Sequence, residues 1–210
     1  MLKLENIHKT FHAGTVNQKI ALDGLSLTLN DGDFVTVIGG NGAGKSTILR
    51  CLNGLEQATG GKIVVNGHDL TDSHVNIDQV REQVGMVFQH FNLFNNMSVI
   101  RNVLVGLHNQ PEFKCDIFSS IFRLPKHYKT EKAMRDKAKE ILRIFNLYDE
   151  RNNLACNLPY GKQRKLEIAR ALATNPCLLL LDEPAAGMNP SETAVSYTHL
   201  RAHETGAYLV

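Results

Sequence analysis

The sequence contains no apolar run long enough to cross a membrane. Its longest uninterrupted runs, such as Leu178–Leu181, are far below the roughly 18–20 residues that a spanning helix needs. The first residues, Met1 to Glu5, lack a cationic start followed by an apolar stretch, which predicts no secretory signal. Any membrane role is therefore expected to come through a partner protein.

Paired cysteines and a strong excess of charge are also lacking. The four cysteines are widely spaced and form no C-x-x-C pair, which favours free thiols in a reducing compartment; they are Cys51, Cys115, Cys156 and Cys177. The net charge of +2 gives no indication of a nucleic-acid or anionic-lipid partner. With 210 residues, 43% of them hydrophobic, the chain is large enough for one domain or for a core with a subdomain.

The first third of the chain has the alternation typical of strands. Residues 1–35 predict an antiparallel β start, in which Leu25, Leu27 and Leu29 alternate with polar residues. The run Phe34–Ile38 predicts a fully buried strand that leads into a glycine-rich loop. The sequence then predicts a helix over 46–55, a strand over 62–65 and a hairpin turn at 66–67.

The later part of the chain is mostly helical in pattern. Residues 92–158 predict helices, and one helical face between 130 and 147 carries Met134, Ala138, Ile141, Leu142 and Phe145. Another helix is expected over 160–174, followed by a strand over 177–181. No internal repeat or long linker separates two independent domains.

Residues 39–47 match the P-loop pattern G-x-x-x-x-G-K-[ST] in full. Glycines let the backbone curl so that successive N–H groups face one point, where the next helix also presents its N-terminal donors. The lysine adds a charge for the β- and γ-phosphates, and the serine hydroxyl can bind Mg²⁺. The candidate ligands of ATP and Mg²⁺ in this loop are Gly39, Asn41, Gly42, Gly44, Lys45, Ser46 and Thr47.

Two acids follow the apolar strand at 178–181. In open α/β sheets, ligands bind at the carboxyl ends of the strands. Asp182 is therefore a candidate for holding Mg²⁺ through water, and Glu183 is a candidate for polarising the attacking water. Acids that end a strand are also common as solvated caps. The P-loop elsewhere in the chain favours the catalytic interpretation.

The run Leu158–Leu172 resembles the signature motif of ATP-binding-cassette (ABC) proteins. The resemblance implies an α/β P-loop NTPase core with an antiparallel β subdomain and a helical subdomain. It also implies that Tyr160 and Gly161 face the γ-phosphate of ATP held by a second ABC ATPase subunit. Pro159 stands where the family has a serine, so that hydroxyl donor is absent.

Three further positions resemble family motifs. Gln89 resembles the glutamine that senses Mg²⁺ and the transmembrane partner, although an ordinary polar strand end is the alternative. Phe11 resembles the aromatic residue that stacks on adenine, and a plain core phenylalanine is about equally expected. The segment 186–189 resembles the loop that crosses the dimer seam.

The resemblance predicts an ATP-hydrolysing subunit bound peripherally at the cytoplasmic face of the membrane, with transmembrane permease partners and no nucleic acid. Residues 93–193 resemble ATPase subunits of branched-chain amino acid importers, whereas 60–94 resemble those of polar amino acid importers, so a mosaic of related genes is one explanation. The predicted ABC domain is 1–194, with 1–91 and 159–194 as the core and 92–158 as the helical subdomain. The alternatives are a non-transport ABC ATPase on ribosomes or DNA, and an inactive fragment.

Residues 195–205 resemble a translated sequencing adapter, which predicts that 195–210 is a non-native tail. His199 and His203 have a helical metal-ligand spacing, but the adapter interpretation is preferred to a zinc site. No histidine of this sequence matches the family's γ-phosphate-contacting histidine. The resemblance therefore implies a chain truncated at the C-terminus, which is expected to be poorly stable, because it lacks a strand, and not to turn over ATP. In related folds the strand after the two acids lies in the middle of the sheet; residues 207–210 are expected to replace it poorly.

Overall fold

The computed structural model describes residues 2–90, 92–108, 110–113, 125–184 and 207–209. The strands are β1 (Leu2–Phe11), β2 (Lys19–Leu29), β3 (Phe34–Val35), β4 (Gly60–Val65), β5 (His68–Asp69), β6 (Val84–Val87), β7 (Leu178–Leu181) and β8 (Ala207–Leu209). The helices are α1 (Lys45–Leu52), α2 (Ile77–Gln83), α3 (Val99–Leu107), α4 (Pro125–Ile144) and α5 (Tyr160–Ala173), with 3₁₀ turns at Pro111–Phe113 and Ala155–Asn157. Contacts between residues divide the chain into two compact units. The first unit contains residues 1–86, 176–183 and 204–210, and the second contains 87–175 and 184–203.

The first unit contains the predicted antiparallel sheet, with strand order β2-β1-β4-β5. β1 pairs with both β2 and β4, so that Leu2 faces Leu29 on one side and Val65 on the other. Val65 also pairs with His68 across the two-residue turn that the Asn-Gly pair predicts. The alternation of β2 and this hairpin are therefore confirmed.

A second sheet has the strand order β3-β8-β7-β6. β8 runs parallel to both neighbours, and Tyr208 is in register with Phe34 and with Leu179. Three residues of the predicted non-native tail thus form one of the two inner strands of this sheet. Their backbone pairs with both flanking strands. That they replace the family's strand poorly stays a prediction.

The predicted strand Phe34–Ile38 is shorter than expected, and its burial is wrong. Only Phe34 and Val35 form β3, both are half-buried, and Ile38 is 91% exposed. The reason is the length of its neighbour, because β8 has three residues and pairs with β3 at two positions only. Within the described ranges, the residues directly after Val35 have no strand partner.

The core of the first unit is aliphatic. It joins the inward face of the antiparallel sheet to one face of α1 and to β7, through Leu2, Leu4, Ile7, Leu22, Leu29, Ile48, Leu49, Leu52, Ile63, Val65, Leu178 and Leu180. Cys51 belongs to the same core, and burial raises the pKa of its thiol to about 11. Cys51, Cys156 and Cys177 are free, as predicted, and Cys115 lies outside the described residues.

The second unit is helical, as predicted. The face of α4 and the residue that follows it are buried, since Met134, Ala138, Ile141, Leu142 and Phe145 are each at most 5% exposed. α3 packs against both α4 and α5. α3 and α5 approach closely at Gly106, where a Cβ atom would lie 2.5 Å from the Arg170 carbonyl oxygen. A larger side chain at this position would push the two helices apart.

The two contact units differ from the predicted subdomains in the placement of α5. The sequence placed 159–194 with the core, whereas α5 falls in the second unit because it packs against α3 and α4. No helix among the described residues is both long and apolar enough to span a membrane.

Candidate functional site

The glycine-rich loop lies in the first unit between β3 and α1. Gly44, the residue before α1, has a backbone φ of 91°, a left-handed conformation that residues other than glycine rarely adopt. A Cβ atom on Gly44 would lie 2.3 Å from the carbonyl oxygen of Ala21 in β2. Both the conformation and the close approach require glycine, so the motif's last glycine fixes how the loop enters the helix.

The side chain of Lys45 closes over the loop that precedes it. Its Nζ atom donates to the carbonyl oxygens of Gly39 at 2.7 Å and Gly40 at 3.0 Å. No side chain caps the N-terminus of α1, and its first turn contains no acidic residue. The ammonium group and the N-terminal end of the helix together favour an anion.

Ser46 and Asp182 meet, although 136 positions separate them in sequence. The Ser46 hydroxyl donates to Oδ1 of Asp182 at 3.0 Å. Asp182 directly follows β7 and is 7% exposed. Two hard oxygen groups are thus adjacent at the start of α1.

This donor set fits Mg²⁺, an ion that prefers oxygen ligands. Protein sites for Mg²⁺ in nucleotide-binding enzymes use one or two carboxylates together with substrate phosphates. Within the described part of the chain, no group of three or more His, Cys, Asp or Glu residues could hold a metal ion. Among the described residues, the Ser46–Asp182 pair is therefore the group that would hold such an ion, together with a nucleotide.

Glu183 is exposed and has an unusual backbone conformation. Its φ is 50°, whereas most of the other non-glycine residues with positive φ in the described chain are asparagines. Left-handed backbone is costly for a glutamate and occurs often at functional sites. Glu183 thus follows the buried Asp182 directly after β7 and is itself exposed.

Phe11 lies outside the buried core. It is half-buried at the end of β1, opposite Lys19 in β2, and the Lys9 ammonium lies 4.8 Å from its ring centre.

Lys19 approaches the P-loop, since its Nζ atom is 3.7 Å from the position that a Cβ atom on Gly42 would take. Sequence reasoning missed Lys19, because no motif includes it and only strand pairing brings it to the loop.

The remaining candidate residues belong to the second unit. Gln89 follows β6, and α5 begins at Tyr160, which is 45% exposed, with Gly161 next to it. The N-cap residue of α5 is Pro159, which stands in place of the family's serine, and no side chain caps this end of the helix.

The first turn of α5 is also tied to the chain before it. Lys162 forms a 2.7 Å ion pair with Glu150, which lowers the pKa of the Glu150 carboxyl below its ordinary value.

Several predicted features lie outside the described residues. They are the predicted dimer-seam loop 186–189 and the two tail histidines, His199 and His203.

A family model described as "ABC transporter" matches residues 22–186. The chain is 41% identical over 174 residues to the high-affinity branched-chain amino acid transport ATP-binding protein LivG of Salmonella typhimurium, covering 83% of this chain and 67% of LivG. It is 36% identical over 190 residues to the arginine transport ATP-binding protein ArtM of Bacillus subtilis, covering 90% of this chain and 70% of ArtM.

The fold is similar to solved cassettes. The dimeric, post-hydrolysis structure of the ATP-binding cassette MJ0796 bound to ADP and Pi superposes with a TM-score of 0.82. That likeness covers 100% of this chain and 87% of MJ0796, at 26% identity. The matched segment 22–186 includes the P-loop, Gln89, the signature helix and the acids after β7. The chain is therefore a member of the ABC transporter family and carries that family's ATPase domain.

Proposed function

We propose that this chain binds Mg²⁺-ATP at residues 39–47 and hydrolyses it to drive amino acid import through transmembrane partner subunits. The 3.0 Å hydrogen bond between Ser46 and Asp182 carries the proposal. It joins the P-loop helix to the acidic strand end, which is the arrangement that phosphoryl-transfer sites of this class require.

Phosphate binding is assigned to the loop and to the first turn of α1. Lys45 would exchange its two carbonyl acceptors for the β- and γ-phosphates, which are stronger partners because they are charged. The backbone N–H groups of the loop and the Thr47 side chain would complete the cradle. The other loop residues in this proposal are Gly39, Asn41, Gly42 and Gly44.

The hydroxyl of Ser46, the carboxylate of Asp182 and the amide of Gln89 are assigned to Mg²⁺. When bound, the ion would neutralise charge that builds up on the phosphate oxygens during transfer. Asp182 suits this role because it is nearly buried and already accepts a hydrogen bond from Ser46.

Glu183 is assigned to water activation. Its exposed carboxylate, held by a left-handed backbone directly after Asp182, would accept a proton from the attacking water. Gln89 would help to orient the same water. Phe11 is assigned to the adenine ring, since it is half-buried beside a strand whose Lys19 reaches the P-loop.

A second ABC ATPase subunit is needed for the complete site. The uncapped start of α5, with Tyr160 and Gly161, would donate to the γ-phosphate of ATP held by that subunit. The proposal of a dimer draws on the similar cassette MJ0796, whose structure is dimeric.

The amino acid substrate is inferred from the relatives. LivG is named for branched-chain amino acids and ArtM for arginine, so an amino acid is the shared substrate class. Permease subunits would hold this chain at the cytoplasmic face of the membrane.

Co-expression with candidate permease subunits, followed by membrane flotation, tests the proposal. We expect the chain to float with the membrane fraction only when those subunits are present, and to bind ATP more tightly with Mg²⁺ than with EDTA. Co-purification with ribosomes or DNA instead would support a non-transport ABC ATPase.

A further inference from the structure

α5 carries a completely buried ion pair that the proposed chemistry does not use. Arg164 is 0% exposed and Glu167 is 1% exposed, and Nη1 of Arg164 donates to Oε2 of Glu167 at 2.8 Å. Removing two charges from water is costly, so a buried pair is weak evidence for stability by itself. Arg164 and Glu167 also form hydrogen bonds with backbone groups elsewhere in the chain.

Arg164 binds the backbone at two distant points of the chain. Its Nη1 atom donates to the carbonyl oxygen of Phe88 at 2.5 Å, and its Nε atom donates to the carbonyl oxygen of Pro184 at 3.3 Å. Phe88 directly precedes Gln89, and Pro184 directly follows Glu183. One guanidinium group thus holds the residues adjacent to both proposed catalytic side chains.

Glu167 holds the other end of the segment that contains Gln89. Its Oε1 atom accepts a 3.1 Å hydrogen bond from the backbone N–H of Asn92. Burial raises the pKa of the Glu167 carboxyl above its ordinary value, while the charge of Arg164 opposes that rise. Both carboxylate oxygens are therefore engaged, one by Arg164 and one by the chain after Gln89.

Asn102 of α3 extends the same arrangement by two residues. Its Oδ1 atom accepts from the Phe94 N–H at 3.0 Å, and its Nδ2 atom donates to the Phe94 carbonyl oxygen at 3.1 Å. The backbone around Gln89 is consequently held at Phe88, Asn92 and Phe94 by side chains of two helices in the same unit.

We propose that Arg164 and Glu167 are positioning residues, which fix the backbone before and after Gln89 and at Pro184, directly after Glu183. The proposal rests on the proposed function for the roles of Gln89 and Glu183. The guanidinium suits this task because its planar set of donors can serve three acceptors at once, which an ammonium on a flexible stem cannot do in the same geometry.

Hydrogen–deuterium exchange of the nucleotide-free protein tests the positioning directly. We expect Glu167→Ala to speed exchange of the Asn92 amide at least about tenfold, because the amide loses its acceptor. Glu167→Gln keeps an oxygen in the same place and should restore most of the protection. Glu131→Gln is the matched control, because it changes an exposed partner of Arg135 on α4.

A second pair of variants keeps the test valid if Glu167→Ala does not fold. Arg164→Lys retains the charge, and Arg164→Met combined with Glu167→Leu replaces the buried pair by apolar groups of similar size. We expect both variants to speed the exchange of backbone amide hydrogens in the segment 87–93, while the amides of the helices keep their protection. In protein that turns over ATP, both should lower kcat at least about tenfold and leave KM within about threefold.

Two results would overturn the proposal. One is unchanged exchange at 87–93 in every variant, and the other is faster exchange across the whole second unit together with a lower melting temperature, which would indicate a purely structural pair. If the unmutated protein fails to hydrolyse ATP, the proposed function is at fault, and exchange at 87–93 alone decides on the positioning role.

Discussion

The Ser46 hydroxyl donates a 3.0 Å hydrogen bond to Oδ1 of Asp182, joining the first turn of α1 to the end of β7. Ser46→Ala removes this hydroxyl. We expect affinity for Mg²⁺-ATP to fall about tenfold, because a hydrogen bond to a charged group contributes about 1.5–3 kcal/mol. Affinity for ATP in EDTA should change much less. Isothermal titration with and without Mg²⁺ measures both quantities.

Ser98→Ala is the control for this comparison, since the Ser98 side chain makes no capping hydrogen bond to α3. An equal loss of ATP affinity with and without Mg²⁺ in Ser46→Ala would remove Ser46 from the proposed metal site.

Glu183→Gln separates hydrolysis from binding. In protein that turns over ATP, we expect hydrolysis to slow at least about 100-fold, because an amide cannot accept the proton from water. ATP affinity should stay within about twofold, and an ATP-bound dimer should accumulate on size-exclusion chromatography. Glu131→Gln on α4 is the control, and normal turnover by Glu183→Gln would move the role of general base to another residue.

Gly44→Ala tests the geometry of the loop. Its Cβ would lie 2.3 Å from the Ala21 carbonyl oxygen, on a backbone with φ 91°. We expect the free energy of unfolding to fall by about 1–3 kcal/mol and ATP binding to weaken. Gly40→Ala is the matched control, because its Cβ would meet no atom within 4 Å. Urea unfolding compares the two, and equal stability would show that the loop relaxes around the added methyl group.

Tyr208→Pro tests the position of β8 between β3 and β7. Proline removes the backbone N–H, whereas Tyr208→Ala keeps it and changes only the side chain. We expect the proline variant to be about 1–3 kcal/mol less stable than the alanine variant, measured by urea unfolding. Identical stabilities would show that residues 207–209 do not belong to the sheet in solution, as the interpretation of 195–210 as a non-native tail implies.

Local patterns in the sequence predicted much of this fold. The Asn-Gly turn, the alternation of β2, the apolar face of α4 and the bounds of α5 each depend on a few neighbouring residues, and the structure confirms them. The P-loop could be located for the same reason, because its glycines, lysine and serine are contiguous. The roles assigned to the individual site residues stay predictions.

Non-local pairing could not be predicted from these patterns. The length of β3 depends on β8, a segment more than 170 positions later, so the buried run Phe34–Ile38 was an incorrect expectation. Arg164 and Glu167 were missed because charged residues on a helix usually face solvent, and only the fold shows them to be buried. The expected inactivity of the chain also stays a prediction.

Lys45→Ala tests the central claim most directly, by isothermal titration with Mg²⁺-ATP. The unmutated chain should bind, and the variant should bind at least about tenfold more weakly, because the phosphates lose a charged donor. Lys62→Ala, which removes an exposed lysine from the same unit, should bind normally, and all three proteins should melt alike without nucleotide. Unchanged ATP affinity in Lys45→Ala would contradict the assignment of residues 39–47 as the ATP site.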